Sequence, residues 1–166
     1  METTLENILI STTKDGMISY LRNHPEDFEH AVSLAVNGEQ PFSWRAASLL
    51  WSCMEYNDSR IRKHAQKIIN ALLCANDGHQ RELLKILLNM DLKKEHEGIL
   101  FDKCMTIWES INKQPSVRFT ALKFVQKMAE KYPELSSEVN FITQDQYFKT
   151  LSPGVRKSIL KATKKL

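Results

Sequence analysis

The placement of helix breakers constrains this chain more than any other feature. All five prolines, Pro25, Pro41, Pro115, Pro133 and Pro153, stand where a helical apolar pattern begins, while Gly38, Gly78, Gly98 and Gly154 fall between patterns. Proline at a first helical position forfeits no hydrogen bond, because its missing N–H would be unpaired there, and glycine past a last turn ends a helix cheaply. With the turn-like Asn57-Asp58-Ser59 added, the breaks recur at intervals of 16 to 20 residues from Pro25 to Pro153. That spacing predicts a train of helices about four turns long joined by short loops. No stretch alternates with the two-residue period of a strand.

The stretch from Pro115 to Tyr132 carries the clearest pattern, with Val117, Ala121, Phe124, Val125, Met128 and Tyr132 at spacings of three and four. Upstream, Thr3-Thr4-Leu5-Glu6 reads as a capping box, Asp15 caps a short second helix, and Pro25-Glu26-Asp27 makes an acidic first turn. From Phe42 to Met54 apolar residues nearly encircle the helix, which predicts an element packed on more than one side. Residues 59–74 are expected as one amphipathic helix, followed by helices at 79–90, 98–112 and 133–142. The loop Lys93 to Gly98 is charged, with Glu95 and Glu97 expected in solvent. The last helix has the stripe Val155, Ile159, Ala162 and Leu166.

Alternate helices superpose. Trp44-Arg45, His79-Gln80, Val117-Arg118 and Val155-Arg156 begin equivalent helices, and Leu49, Leu84, Leu122 and Leu160 then coincide five positions after each first residue. The segments W-R-A-A-S-L, V-R-F-T-A-L and V-R-K-S-I-L resemble the V-R-x-x-A opening of the second helix in HEAT repeats, and Asp58 followed by I-R-K-H-A resembles it too, which leaves the phase of pairing open. The resemblance covers residues 25–166 and implies stacked helix pairs whose neighbours complete one another's core. It also implies a ladder of the motif arginines, Arg45, Arg118 and Arg156, with acids of adjacent repeats. Gln80 departs from the pattern, and no acid recurs at a fixed offset. Each of these arginines precedes a leucine by four, so its stem can pack at the edge of the core while the guanidinium caps a turn.

At 166 residues, 42% hydrophobic and 26% charged, the chain fits one domain able to bury its own core. Residues 1–24 would cap the array and residues 25–166 would form the repeats. Residues 1–43 carry a net charge of −5 and the remainder +8, a polarity that steers an acidic partner toward the C-terminal part. Cys53, Cys74 and Cys104 sit in apolar helical patterns and read as buried thiols of a reducing compartment, which places the chain in the cytoplasm. With Glu2, Glu6, Lys14 and Asp15 in the first twenty residues and no long apolar run, no signal peptide is expected; the sequence holds no stretch of membrane-spanning length and no phosphate-loop, dinucleotide, serine-nucleophile or zinc-protease motif. The five histidines lack metal-ligand spacing. Trp44, Trp51 and Trp108 recur at helical spacing beside leucines and read as core, although Trp44 and Trp51 share a face.

These readings predict an all-α, right-handed α-solenoid of about four degenerate HEAT-like helix pairs with short N-terminal capping helices. The function expected is a non-catalytic protein-binding or scaffolding module that uses no cofactor, no metal and no membrane. Its second helices would line a groove for a protein or peptide segment, with Arg45, Lys85, Arg118, Lys123 and Arg156 as contacts. The alternative is a binder of nucleic-acid backbone, in which Lys85, Arg118 and Lys123 join the cations at Arg156, Lys157, Lys161, Lys164 and Lys165. HEAT-like glycosylases acting on alkylated DNA illustrate that reading, though the chain is short for that group and no catalytic acid matches it.

Overall fold

The computed structural model describes residues 3–163, and the chain packs as two compact units, Met1–Lys93 and Lys94–Leu166. Every regular element among the described residues is helical. The first unit contains α1 (Thr4–Ser11), α2 (Lys14–Asn23), a 3-10 turn at Pro25–Asp27, α3 (Phe28–Asn37), α4 (Phe42–Cys53), α5 (Ser59–Arg62), α6 (Ala65–Cys74) and α7 (Asp77–Leu88). The second contains α8 (Lys94–Glu109), α9 (Pro115–Lys131), a 3-10 turn at Pro133–Leu135, α10 (Ser136–Ile142), a 3-10 turn at Asp145–Phe148, and α11 (Pro153–Thr163).

Helix starts follow the local chemistry. The Thr3 hydroxyl accepts from the Glu6 N–H while the Glu6 carboxylate accepts from the Thr3 N–H, a complete capping box at 3.3 and 2.6 Å. Thr13 and Asn76 cap α2 and α7 in the same sense. Pro115 and Pro153 occupy first helical positions, as their missing donors require.

In the first unit, the encircling apolar residues of α4 meet α1, α2, α3 and α7, and Ala46, Ala47, Leu49 and Leu50 are fully buried. Short connections make α3/α4 and α6/α7 antiparallel pairs. The second helices of those pairs run parallel: a Cβ on Gly78 would stand 3.6 Å from the Trp44 ring, and Lys85, seven residues on, lies over Trp51, seven residues on. One separation recurs among the cross-helix bonds. Arg45 to Leu9, His64 to Glu29, Asn57 and Tyr56 to Asp91, and Asn89 to Glu55 all join residues 34 to 36 apart. The second unit keeps that separation in Trp108 to Ile142, Lys131 to Glu97 and Tyr132 to Glu97, at 34 or 35 residues.

Several expectations are corrected. The helix expected over 59–74 is two, because the His64 N–H closes a tight turn onto the Ile61 carbonyl while its ring bonds Glu29 at 2.9 Å; Ile61 and Ala65 still share the buried face. Gly98 lies inside α8, which begins at Lys94 because Glu95 and Glu97 favour the positive end of a helix. Glu97 is buried, not solvated, and accepts from the Lys131 ammonium at 2.6 Å and the Tyr132 hydroxyl at 2.7 Å. Of the expected buried thiols, Cys104 is buried, Cys53 half-buried and Cys74 exposed. Leu49, Leu84 and Leu122 are buried alike, but Leu160 is exposed and Ile159 takes the inward position in α11. Leu166, Lys164 and Lys165 lie outside the described residues.

Candidate binding face

The second helices of the first unit display an aromatic and basic face. Trp51, expected in the core, is 38% exposed on α4. The Lys85 ammonium of α7 stands 4.7 Å from the centre of its ring, and that of Lys14, at the start of α2, stands 5.4 Å away. Each contact contributes about 0.5–1 kcal/mol at an exposed site, so together they orient the indole more than they stabilise the fold.

Lys85 is positioned from beneath. Glu82 is 2% exposed, and its carboxylate accepts from Lys85 Nζ at 3.1 and 3.2 Å and from Arg81 Nε at 2.8 Å. A buried carboxylate needs charged donors, and two half-buried cations supply them, which fixes both cations in the surface. Arg45 stands one turn before Leu49, donates Nη1 to the Leu9 carbonyl at 2.8 Å, and lies 5.6 Å from the Trp44 ring. Lys14 and Lys85 beside Trp51, Arg45 beside Trp44 and Arg81 beside buried Glu82 set four cations against one acid around these two indoles.

In the second unit the expected contacts separate. Arg118 is 1% exposed: Nε donates to the Trp108 carbonyl at 2.8 Å, Nη2 to the Tyr147 carbonyl at 2.9 Å, and Nη1 to the Thr150 hydroxyl at 3.1 Å. Its guanidinium also lies 4.9 Å from the Trp108 ring, and burial alone lowers its pKa from the ordinary arginine value. It ties α9 to the end of α8 and to the segment before α11, so it is oriented inward rather than toward a ligand. Lys123 is exposed on α9, 4.5 Å over the ring of Phe119. Phe119 and Val155 line a groove of about 740 Å³ between α9 and α11, with Ser116, Ser152 and Ser158 at its edges. Arg156 is drawn elsewhere, paired with Asp145.

Arg45 and Lys85 therefore lie beside the two α4 indoles, Trp44 and Trp51, Lys123 lies over Phe119, which lines the α9/α11 groove, and Arg118 and Arg156 are engaged within the second unit. Sequence reasoning missed Lys14, Arg81 and Glu82. One local sign was available: Ser48 lies between Trp44 and Trp51 on the same helical stripe, where a buried stripe would carry another apolar residue. The motif arginines do not build the expected acidic ladder. Arg45 and Arg118 bond backbone carbonyls, and Arg156 alone of the three bonds an acid.

Among the described residues no group of three or more His, Cys, Asp or Glu side chains could hold a metal ion, and no helix is long and apolar enough to cross a membrane. No curated protein and no solved structure matches the chain. A family model, HEAT repeat domain, matches residues 1–166. With a match of that length over helix pairs of this period, the chain belongs to the HEAT repeat domain family.

Proposed function

We propose that the chain is a non-catalytic protein-binding or scaffolding module of the cytoplasm, and that the α4/α7 face takes an acidic segment of a partner protein. HEAT repeat domains generally mediate protein interactions, and a preformed helical surface binds by shape and charge complementarity. The observation that carries the reading is Trp51, exposed between the ammoniums of Lys14 and Lys85, with Lys85 braced by buried Glu82. An apolar side chain of the partner would cover the indole while neighbouring carboxylates meet Lys14, Lys85, Arg81 and Arg45. Lys123 and Arg156 are secondary contacts. Arg118 holds the fold. The proposal includes one domain over residues 1–166, built as a right-handed solenoid of about four pairs with residues 1–24 as its cap; the 34-to-36-residue period found within each unit supports the repeat part of it.

The test is a titration of the full chain with a labelled peptide of glutamates interspersed with leucines, and separately with a labelled DNA duplex, at about 50 and 200 mM salt. Peptide binding that Trp51→Ala and Lys85→Glu each weaken at least ~10-fold is the expected result. Duplex binding with a steep salt slope, indifferent to Trp51→Ala, would replace this reading with the nucleic-acid one.

A further inference from the structure

On the second unit, away from the α9/α11 groove, a pocket of about 270 Å³ opens between α8, the end of α9 and the turn at Pro133–Leu135. Phe101, Met128 and Leu135 supply its apolar lining, and Asp102 and Glu134 stand on its rim, exposed, without an ion-pair partner among the described residues. Lys94 is the one cation lining it, and buried Glu97 is already neutralised by Lys131 and hydrogen-bonded by the Tyr132 hydroxyl. The rim is therefore acidic by one charge.

Gly98 stands on the wall of the pocket. It sits in the interior of α8, where glycine weakens a helix relative to alanine, and a Cβ built on it meets nothing within 4 Å. No close packing requires glycine there. A long side chain at 98 would extend from a wall that Phe101 and Met128 also line.

The same unit carries the complement of this pocket. On α11, Leu160 is 38% exposed, with Lys157 one turn before it and Lys161 beside it, all on one ridge. A leucine is of the size the pocket admits, and two flanking ammoniums match two rim carboxylates. We infer that the pocket receives the Lys157–Leu160–Lys161 ridge of a second copy of this chain. Pocket and ridge are different patches, so a copy bound through its ridge keeps its own pocket open and the contact repeats head to tail into rings or chains larger than a dimer. One helix ridge in one pocket buries far less than a standard interface, so the association is weak.

Sedimentation velocity of the full chain from about 10 to about 500 µM at low salt tests it, a range suited to a contact of this size. The weight-average mass should climb continuously past the dimer. Gly98→Met fills the pocket with a better helix former and should leave a folded monomer, as judged by circular dichroism. Lys157→Glu/Lys161→Glu and Asp102→Lys/Glu134→Lys should each be monomeric alone, whereas their mixture should re-form assemblies larger than a dimer in which the two variants alternate in equal amounts. A native chain that stays monomeric throughout, an association unmoved by Gly98→Met, or a mixture that stays dissociated would each overturn the inference.

Discussion

Arg45 and Arg118 stand at the same position of the same motif, one residue after the opening Trp or Val and four before a buried leucine, yet they do different work. Arg45 is half-buried, gives one hydrogen bond to a carbonyl of α1, and shares its surface with two tryptophans. Arg118 is buried, gives three hydrogen bonds, and covers a tryptophan that is itself fully buried. Neighbours 29 to 36 residues away, Leu9 in one case and Tyr147 and Thr150 in the other, decide whether the arginine edges a surface or anchors a core. The tryptophans divide likewise. Trp108 donates to the Ile142 carbonyl and meets Phe148 edge-on at 5.5 Å, while Trp51 is left in the open between lysines.

The widest gap is expected between the equivalent leucines. Leu122→Asp places a carboxylate in a fully buried site and should cost over ~3 kcal/mol in urea unfolding, whereas Leu160→Asp, at an exposed site, should change stability by less than ~0.5 kcal/mol. Equal losses would mean that α9 and α11 face their unit alike. Arg118→Ala comes next, at about 3 kcal/mol, because it strands the carbonyls of Trp108 and Tyr147, while Arg45→Ala should cost about 1 kcal/mol for its single bond. Arg118→Lys should recover little, since one ammonium cannot span three acceptors held in a fork.

Acid should separate the two units. In the first, burial lowers the pKa of His79 from its ordinary 6.5, against the opposing effect of the hydrogen bond from Nε2 to the Ala35 carbonyl at 2.8 Å. The folded state thus holds the histidine proton less tightly than the unfolded chain does, and stability present above 6.5 is lost as pH falls from there toward the folded value. In the second, burial raises the pKa of Glu97, but hydrogen bonds from Lys131 and Tyr132 outweigh it and bring it below the ordinary 4.5. Its stabilisation is full above 4.5 and is lost as pH falls through the folded value. Amide exchange in α7 should therefore speed up at higher pH than exchange in α9. His79→Gln should remove the upper step and Glu97→Gln the lower; loss of protection in both helices together would show that other groups govern the acid response.

The breakers made the helices legible, since proline and glycine act on the residues beside them. The burial of Leu49, Leu84 and Leu122 was legible for a similar reason: each lies in a stripe that repeats within its own helix. Glu97 was not, because the lysine and tyrosine that make its burial tolerable arrive 34 and 35 residues later, from a helix whose pattern says nothing of its neighbour's acid. The face at Trp51 was half legible. The shared stripe with Trp44 was visible, but the braces Lys14 and Glu82 come from α2 and α7 and follow from packing alone.

The finest distinction lies between two glycines that the sequence presents as the same kind of break. Gly38 ends α3 with ordinary φ and ψ, yet a Cβ there would stand 2.5 Å from the Leu34 carbonyl oxygen, a backbone atom that cannot swing aside. Gly98 has open space instead. Alanine at 98 should therefore stabilise the chain by about 0.5–1 kcal/mol, the helix-interior advantage of alanine over glycine, while alanine at 38 should destabilise it by forcing the end of α3 to shift. Thermal melts of the two variants give the sign directly. A loss at position 98 would mean that α8 does not run unbroken from Lys94, and its glycine would then be the terminator that the spacing of breakers suggests.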